Sequence, residues 1–162
     1  MLVLRCTRKL LTRLKADPVA EPQPSTTVLG DWYADILVSG RRKILLCISE
    51  HARFPVVLAT NDVRSVVSQL PEALAVLLWD LSVPPRSIER EIREMTTGQF
   101  AKTASRSLLG TMNDYAIAIT WALAEDPGQS LHSLSLGLTD TPVGPMKGQC
   151  PADVVRRLLA EP

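Results

Sequence analysis

WYADILVSGRRKILLCISEHARFPVVLAT, residues 32–60, is the stretch that decides the fold class. It holds three short runs rich in branched aliphatic residues, separated by turn-forming ones. Alternation over 32–38 puts Ala34, Ile36 and Val38 on one face, and alternation over 43–49 puts Ile44, Leu46 and Ile48 on one face. Ser39-Gly40-Arg41-Arg42 between them reads as a hairpin turn. Residues 55–60 read as a third strand, with Pro55 confined to its start or to a sheet edge because it has no N–H to donate. Three strands joined this closely predict an antiparallel meander that buries a face against other elements.

Upstream, Met1 to Leu4 reads as a short strand, and Thr7 caps a brief helix through Lys15 with Leu10, Leu11 and Leu14 inward. Pro18, Pro22 and Pro24 make an extended connector of about residues 17–28. Downstream, Asn61 and Asp62 open a helix that Pro71 is expected to stop, with a second helix starting there. A charged helix runs from Pro84-Pro85 to about Met95, burying Ile88, Ile92 and Met95. Residues 98–103 read as a strand, and a long helix spans about Arg106 to Glu125. Leu134, Leu136 and Leu138 alternate with Ser133, Ser135 and Gly137, which predicts a half-buried strand inside a C-terminal unit of strand, loop and helix over 133–160. Pro151 begins that last helix, which holds Val154, Val155, Leu158 and Leu159 inward. The expectation is one α+β domain over 1–162: an antiparallel β-meander extended by the other strands and packed on one side by several helices. Strands first and helices later argue against a doubly wound parallel sheet.

Composition fits a globular chain, with 46% hydrophobic and 22% charged residues. The net charge of +1 argues against a strongly electrostatic nucleic-acid binder. That balance hides an asymmetry: residues 1–66 carry ten Lys/Arg and six Asp/Glu, and 67–162 carry eight and eleven. No stretch approaches the roughly 20 apolar residues of a membrane span. The polar Arg5-Cys6-Thr7-Arg8-Lys9 run interrupts any signal-like segment, so a bacterial-style cytoplasmic location is expected. Cys6, Cys47 and Cys150 are widely spaced, and Cys6 and Cys47 read as small core residues. Neither the cysteines nor His51 and His132 have the spacing of a metal site, so no metal and no cofactor is expected.

The most unusual stretch is FAKTASRSLLGTMNDYA, residues 100–116. On the long helix, Arg106, Gly110 and Asn113 lie beside the apolar arc, and a glycine inside a helix costs about 1 kcal/mol relative to alanine. Its presence suggests that something approaches the backbone there. Lys102, Thr103, Arg106, Ser107 and Asn113 are therefore a candidate anion or phosphate site at a helix start. The structural alternative has Thr103 or Ser105 capping the helix, Arg106 paired with a carboxylate and Asn113 satisfying the backbone. A second candidate, for weak nucleic-acid binding, is Arg5, Arg8, Lys9, Arg13, Arg41 and Arg42, with Trp32 and Tyr33 near in sequence as stacking surfaces.

The stretches LRCTRKLLTRL, LGDWYADIL, FPVVLAT, FAKTASRSLLGTMND and LTDTPVGPMKGQCPADVVRRLL resemble an uncharacterised bacterial family, a domain of unknown function. A similar domain occurs in plasmid-borne open reading frames, so the resemblance implies mobile-element or maintenance biology and no set of site residues. With no catalytic constellation in view, and with Ile117 and Trp121 on the polar side of the long helix, the leading expectation is a non-enzymatic interaction module, regulatory or antitoxin-like. Its partner would be another protein or a second copy of the chain. Nucleic-acid binding and an anion site, or an unrecognised enzyme centred on Lys102, Arg106 and Ser107, are the alternatives.

Overall fold

The computed structural model describes residues 1–160. The chain runs β1 (Leu2–Cys6), α1 (Arg8–Leu14), β2 (Trp32–Ser39), β3 (Arg42–Ser49), β4 (Pro55–Ala59), a 3₁₀ turn (Val63–Ser65), α2 (Val66–Asp80), α3 (Pro85–Glu94), β5 (Gly98–Lys102), α4 (Arg106–Glu125), α5 (Leu131–Thr139), a second 3₁₀ turn (Gly144–Met146) and α6 (Pro151–Leu158). The five strands form one sheet in the order β4-β3-β2-β1-β5.

The fold is α+β, and the meander of residues 32–60 is present as β2, β3 and β4, paired antiparallel. The added strands are not antiparallel. β1 lies parallel to β2 and to β5, so Arg5 sits in register between Tyr33 and Ala101. Hairpin-length connections force antiparallel pairing, whereas α1 plus a long connector returns the chain in the same direction. The sheet is mixed for that reason.

Helices cover both faces, which corrects the one-sided expectation. On one face Leu45, Cys47, Trp32, Ala34, Val56 and Phe54 join a core shared with α1, α2, α3 and α6. On the other, Ile44, Leu46, Ile48, Tyr33 and Val57 meet α4 and α5. β3 is buried from Ile44 through Ser49, so its two alternating sets serve two different cores. Val38, expected inward, is exposed at the end of β2. Cys6 and Cys47 are buried free thiols, and burial pushes the Cys6 thiol up to about 12.

Two helix expectations change. Pro71 does not split α2, which runs unbroken from Val66 to Asp80. Losing one intrahelical bond and fitting the ring costs about 3 kcal/mol. Val66, Leu70, Leu74, Leu77 and Leu78 form one buried stripe through that point, and burying five such side chains contributes on the order of 10 kcal/mol. The stripe wins. The second correction is residues 133–138, which are helix α5 and not a strand. Ser130 caps it by accepting from Ser133 N–H at 3.0 Å. Because α5 closes the edge of the sheet, Leu134 and Leu138 pack into one core while Leu136 packs against the other. The period-two pattern came from two cores meeting one helix.

Both sheet edges are covered. At β4, Val57 N–H donates to Ser135 Oγ of α5 at 3.0 Å. At β5, the Pro-rich connector donates from Val19 N–H to the Phe100 carbonyl at 2.8 Å. The end of the connector is fixed by Glu91 of α3, which accepts from Val28 N–H at 2.7 Å and Leu29 N–H at 3.0 Å while only 1% exposed.

Candidate functional site

The β1–α1 junction places a polar cluster where β2 extends past the end of β1. Thr7 caps α1, accepting from Leu10 N–H at 3.4 Å, and its hydroxyl donates to Asp35 Oδ1 at 2.5 Å. Ile36 N–H donates to the same oxygen at 2.8 Å, and Lys9 Nζ stands 3.8 Å from it. Three groups thus converge on Asp35 Oδ1, and among the described residues Oδ2 has no hydrogen-bond partner. Asp35 points to the α4 side of the sheet, since Ala34 and Ile36 belong to the opposite core. There it borders a pocket of about 310 Å³ whose rim also includes Thr7, Lys9 and Asn113, and whose apolar walls include Leu37, Leu46 and Met112.

The family model for a domain of unknown function, DUF6933, matches residues 3–154. The chain belongs to that family. No curated protein and no solved structure matches it. Thr7, Lys9, Asp35, Leu37, Met112 and Asn113, which line this pocket, all lie within the matched residues.

The five residues of the expected anion site occupy four separate places. Lys102 and Thr103 line a cleft of about 620 Å³ with Arg5, Asp17 and the connector. Arg106 is exposed and makes no ion pair among the described residues, and Asn113 belongs to the Asp35 pocket. Ser107 is held by Arg53, whose Nη2 donates to Ser107 Oγ at 2.8 Å and whose Nη1 donates to the Ser107 carbonyl at 2.9 Å and to Thr111. Burial lowers the Arg53 pKa, and Tyr115 donates its hydroxyl to the Arg53 carbonyl at 2.9 Å. The helix cap is Ser105, which accepts from Leu108 N–H at 3.2 Å. A Cβ at Gly110 would meet nothing within 4 Å, so among the described residues no other element approaches that glycine.

The basic residues are also divided. Arg5 donates through Nε to Asp31 at 2.6 Å and through Nη1 to the Lys102 carbonyl at 3.0 Å, and Lys9 pairs with Asp35. Arg8 and Arg13 are exposed on α1. Arg41, Arg42 and Lys43 stand at the β2–β3 hairpin beside Thr60 and Asn61, with Arg42 donating to the Pro127 carbonyl at 3.2 Å. Trp32 is fully buried and Tyr33 nearly so, and neither presents a ring for stacking.

Two apolar patches stand in the outer layers. On α4, Ile117 and Trp121 are exposed, Trp121 by 69%. On the opposite side of the sheet, Val76 and Trp79 border a groove of about 380 Å³ with Pro85 and Ile88, between α2 and α3. Trp79 is 65% exposed. Sequence reasoning missed Asp35, Arg53 and the Trp79 groove as surface features. The signal for the groove was present, since Val76 and Trp79 lie off the stripe of Leu70, Leu74, Leu77 and Leu78. Asp35 carried no local signal, because the side chains that meet it, Thr7 and Lys9, come from the start of α1, distant in sequence.

Proposed function

We propose that this chain, folded as one domain, is a protein-interaction module that docks a partner in the groove between α2 and α3. The observation that carries this reading is Trp79, whose ring stands 65% exposed over an apolar groove edged by Val76, Pro85 and Ile88. Tryptophan is concentrated at interface centres, where its large area is buried by a partner, and a concave apolar groove offers the matching shape. Trp121 and Ile117 provide a second, convex patch on the other outer layer. No helix among the described residues is long and apolar enough to cross a membrane. A regulatory, antitoxin-like role in a bacterial mobile-element system, acting in the cytoplasm, is part of this proposal.

The test compares wild type with Trp79→Glu in native cells by in-cell cross-linking and mass spectrometry, and in vitro by light scattering. Wild type is expected to show a reproducible protein partner or self-association that Trp79→Glu loses, with unchanged circular dichroism. Identical cross-links for wild type and Trp79→Glu would overturn the groove as the docking face.

A further inference from the structure

We infer that the pocket between β2, the start of α1 and α4 binds a small zwitterion of the α-amino acid type carrying an apolar side chain. The inference stands apart from the interaction reading, because α2 and α3 line no part of this pocket.

The argument starts from charge. Asp35 and Lys9 supply one negative and one positive group to the same rim, with Lys9 Nζ 3.8 Å from Asp35 Oδ1. A rim that is neutral overall gives no advantage to a net cation or a net anion. It does favour a molecule with both charges a short distance apart, as across an α-amino acid, set in the reverse order. Asp35 is held in place without exhausting its capacity: Thr7 and Ile36 occupy Oδ1, and Oδ2 is left to accept from an ammonium. Lys9, 58% exposed at its side chain, is free to swing toward a carboxylate. The Asn113 side-chain amide makes no hydrogen bond among the described residues and faces the same pocket, adding a neutral donor beside Lys9.

The remaining wall is apolar. Leu37 and Leu46 come from the sheet and Met112 from α4. At about 310 Å³ the pocket stands at the low end of ligand cavities and has room for a single amino acid. Convergent polar groups beside an apolar wall are the ordinary anatomy of a small-molecule site.

The experiment titrates ¹⁵N-labelled full-length chain with L-leucine, L-methionine and L-phenylalanine, and measures affinity by calorimetry. Leucinamide, which lacks the carboxylate, and N-acetyl-leucine, which lacks the ammonium, are the matched controls. At least one free amino acid is expected to bind, with amide shifts centred on Leu37, Met112 and Asn113. Both controls are expected to bind at least about tenfold more weakly, the loss of one charged hydrogen-bonding pair. Asp35→Asn removes an acceptor that Thr7 and Ile36 use in folding, so Lys9→Ala and Asn113→Ala carry the mutational arm. Each is expected to weaken binding several-fold with an unchanged melting curve. Absence of binding by all three amino acids at millimolar concentration overturns the inference, as does N-acetyl-leucine binding as tightly as leucine, or shifts that fall outside the pocket.

Discussion

Val57 N–H donates to Ser135 Oγ at 3.0 Å, while the Ser135 hydroxyl donates to the Leu131 carbonyl at 2.8 Å. One buried side chain thereby ties the open edge of β4 to a helix and satisfies a strand N–H that has no sixth strand to pair with.

Ser135→Ala should therefore cost about 1–3 kcal/mol, the penalty of a buried donor left without an acceptor. Urea unfolding of the purified variant measures it. A variant as stable as wild type would show that water reaches the Val57 N–H and that α5 does not close the edge.

Gly110 stands on the exposed side of α4 with open space around the position of a Cβ. Gly110→Ala is expected to raise stability by about 0.5–1 kcal/mol through helix propensity alone. Thermal and urea unfolding would read the gain. A loss of stability would mean that the backbone at 110 is strained or closely approached.

Glu91 is nearly fully buried, and burial raises its pKa above the ordinary 4.5, partly offset by the N–H groups of Leu29 and Val28. The folded carboxyl keeps its proton where the unfolded one has released it. Its contribution to stability is therefore fully present below pH 4.5 and is lost as pH rises through the folded value. Glu91→Gln cannot titrate. The unfolding free energy of wild type minus that of Glu91→Gln should fall as pH is raised from acid to neutral. A difference that is flat or rising with pH would show that the two N–H bonds outweigh burial.

The local elements were legible because their signals are local. Alternation over 32–60, Thr7 at a helix start, and Pro85 and Pro151 opening α3 and α6 each depend on backbone sterics or one short hydrogen bond. The same holds for the buried stripe of α4, where Leu108, Met112, Tyr115 and Ile119 recur at helical spacing. Where the reading failed, the deciding partner was distant. Leu134, Leu136 and Leu138 alternate because α5 meets two cores at a sheet edge, an arrangement that no nearest-neighbour pattern encodes. Pro71 stays inside α2 because the burial of Leu70, Leu74 and Leu77 outweighs a local cost.

By itself, then, the sequence determined the class of the fold, most of its helices and strands, and which leucines turn inward. Periodicity and caps are properties of a few consecutive residues, so they survive without the rest of the chain. Only the tertiary structure decided that β1 and β5 run parallel, that both faces of the sheet are covered, and that Thr7, Lys9, Asp35 and Asn113 share one pocket. Asn113 lies 78 positions from Asp35 and on another layer. What joins them is the packing of α4 across β2 and β3, driven by burial of the apolar arc and indifferent to the polar residues it carries along. Lys102, Arg106 and Ser107 are near neighbours in sequence and part company for the complementary reason: a strand end, a loop and a helix turn aim successive side chains in different directions.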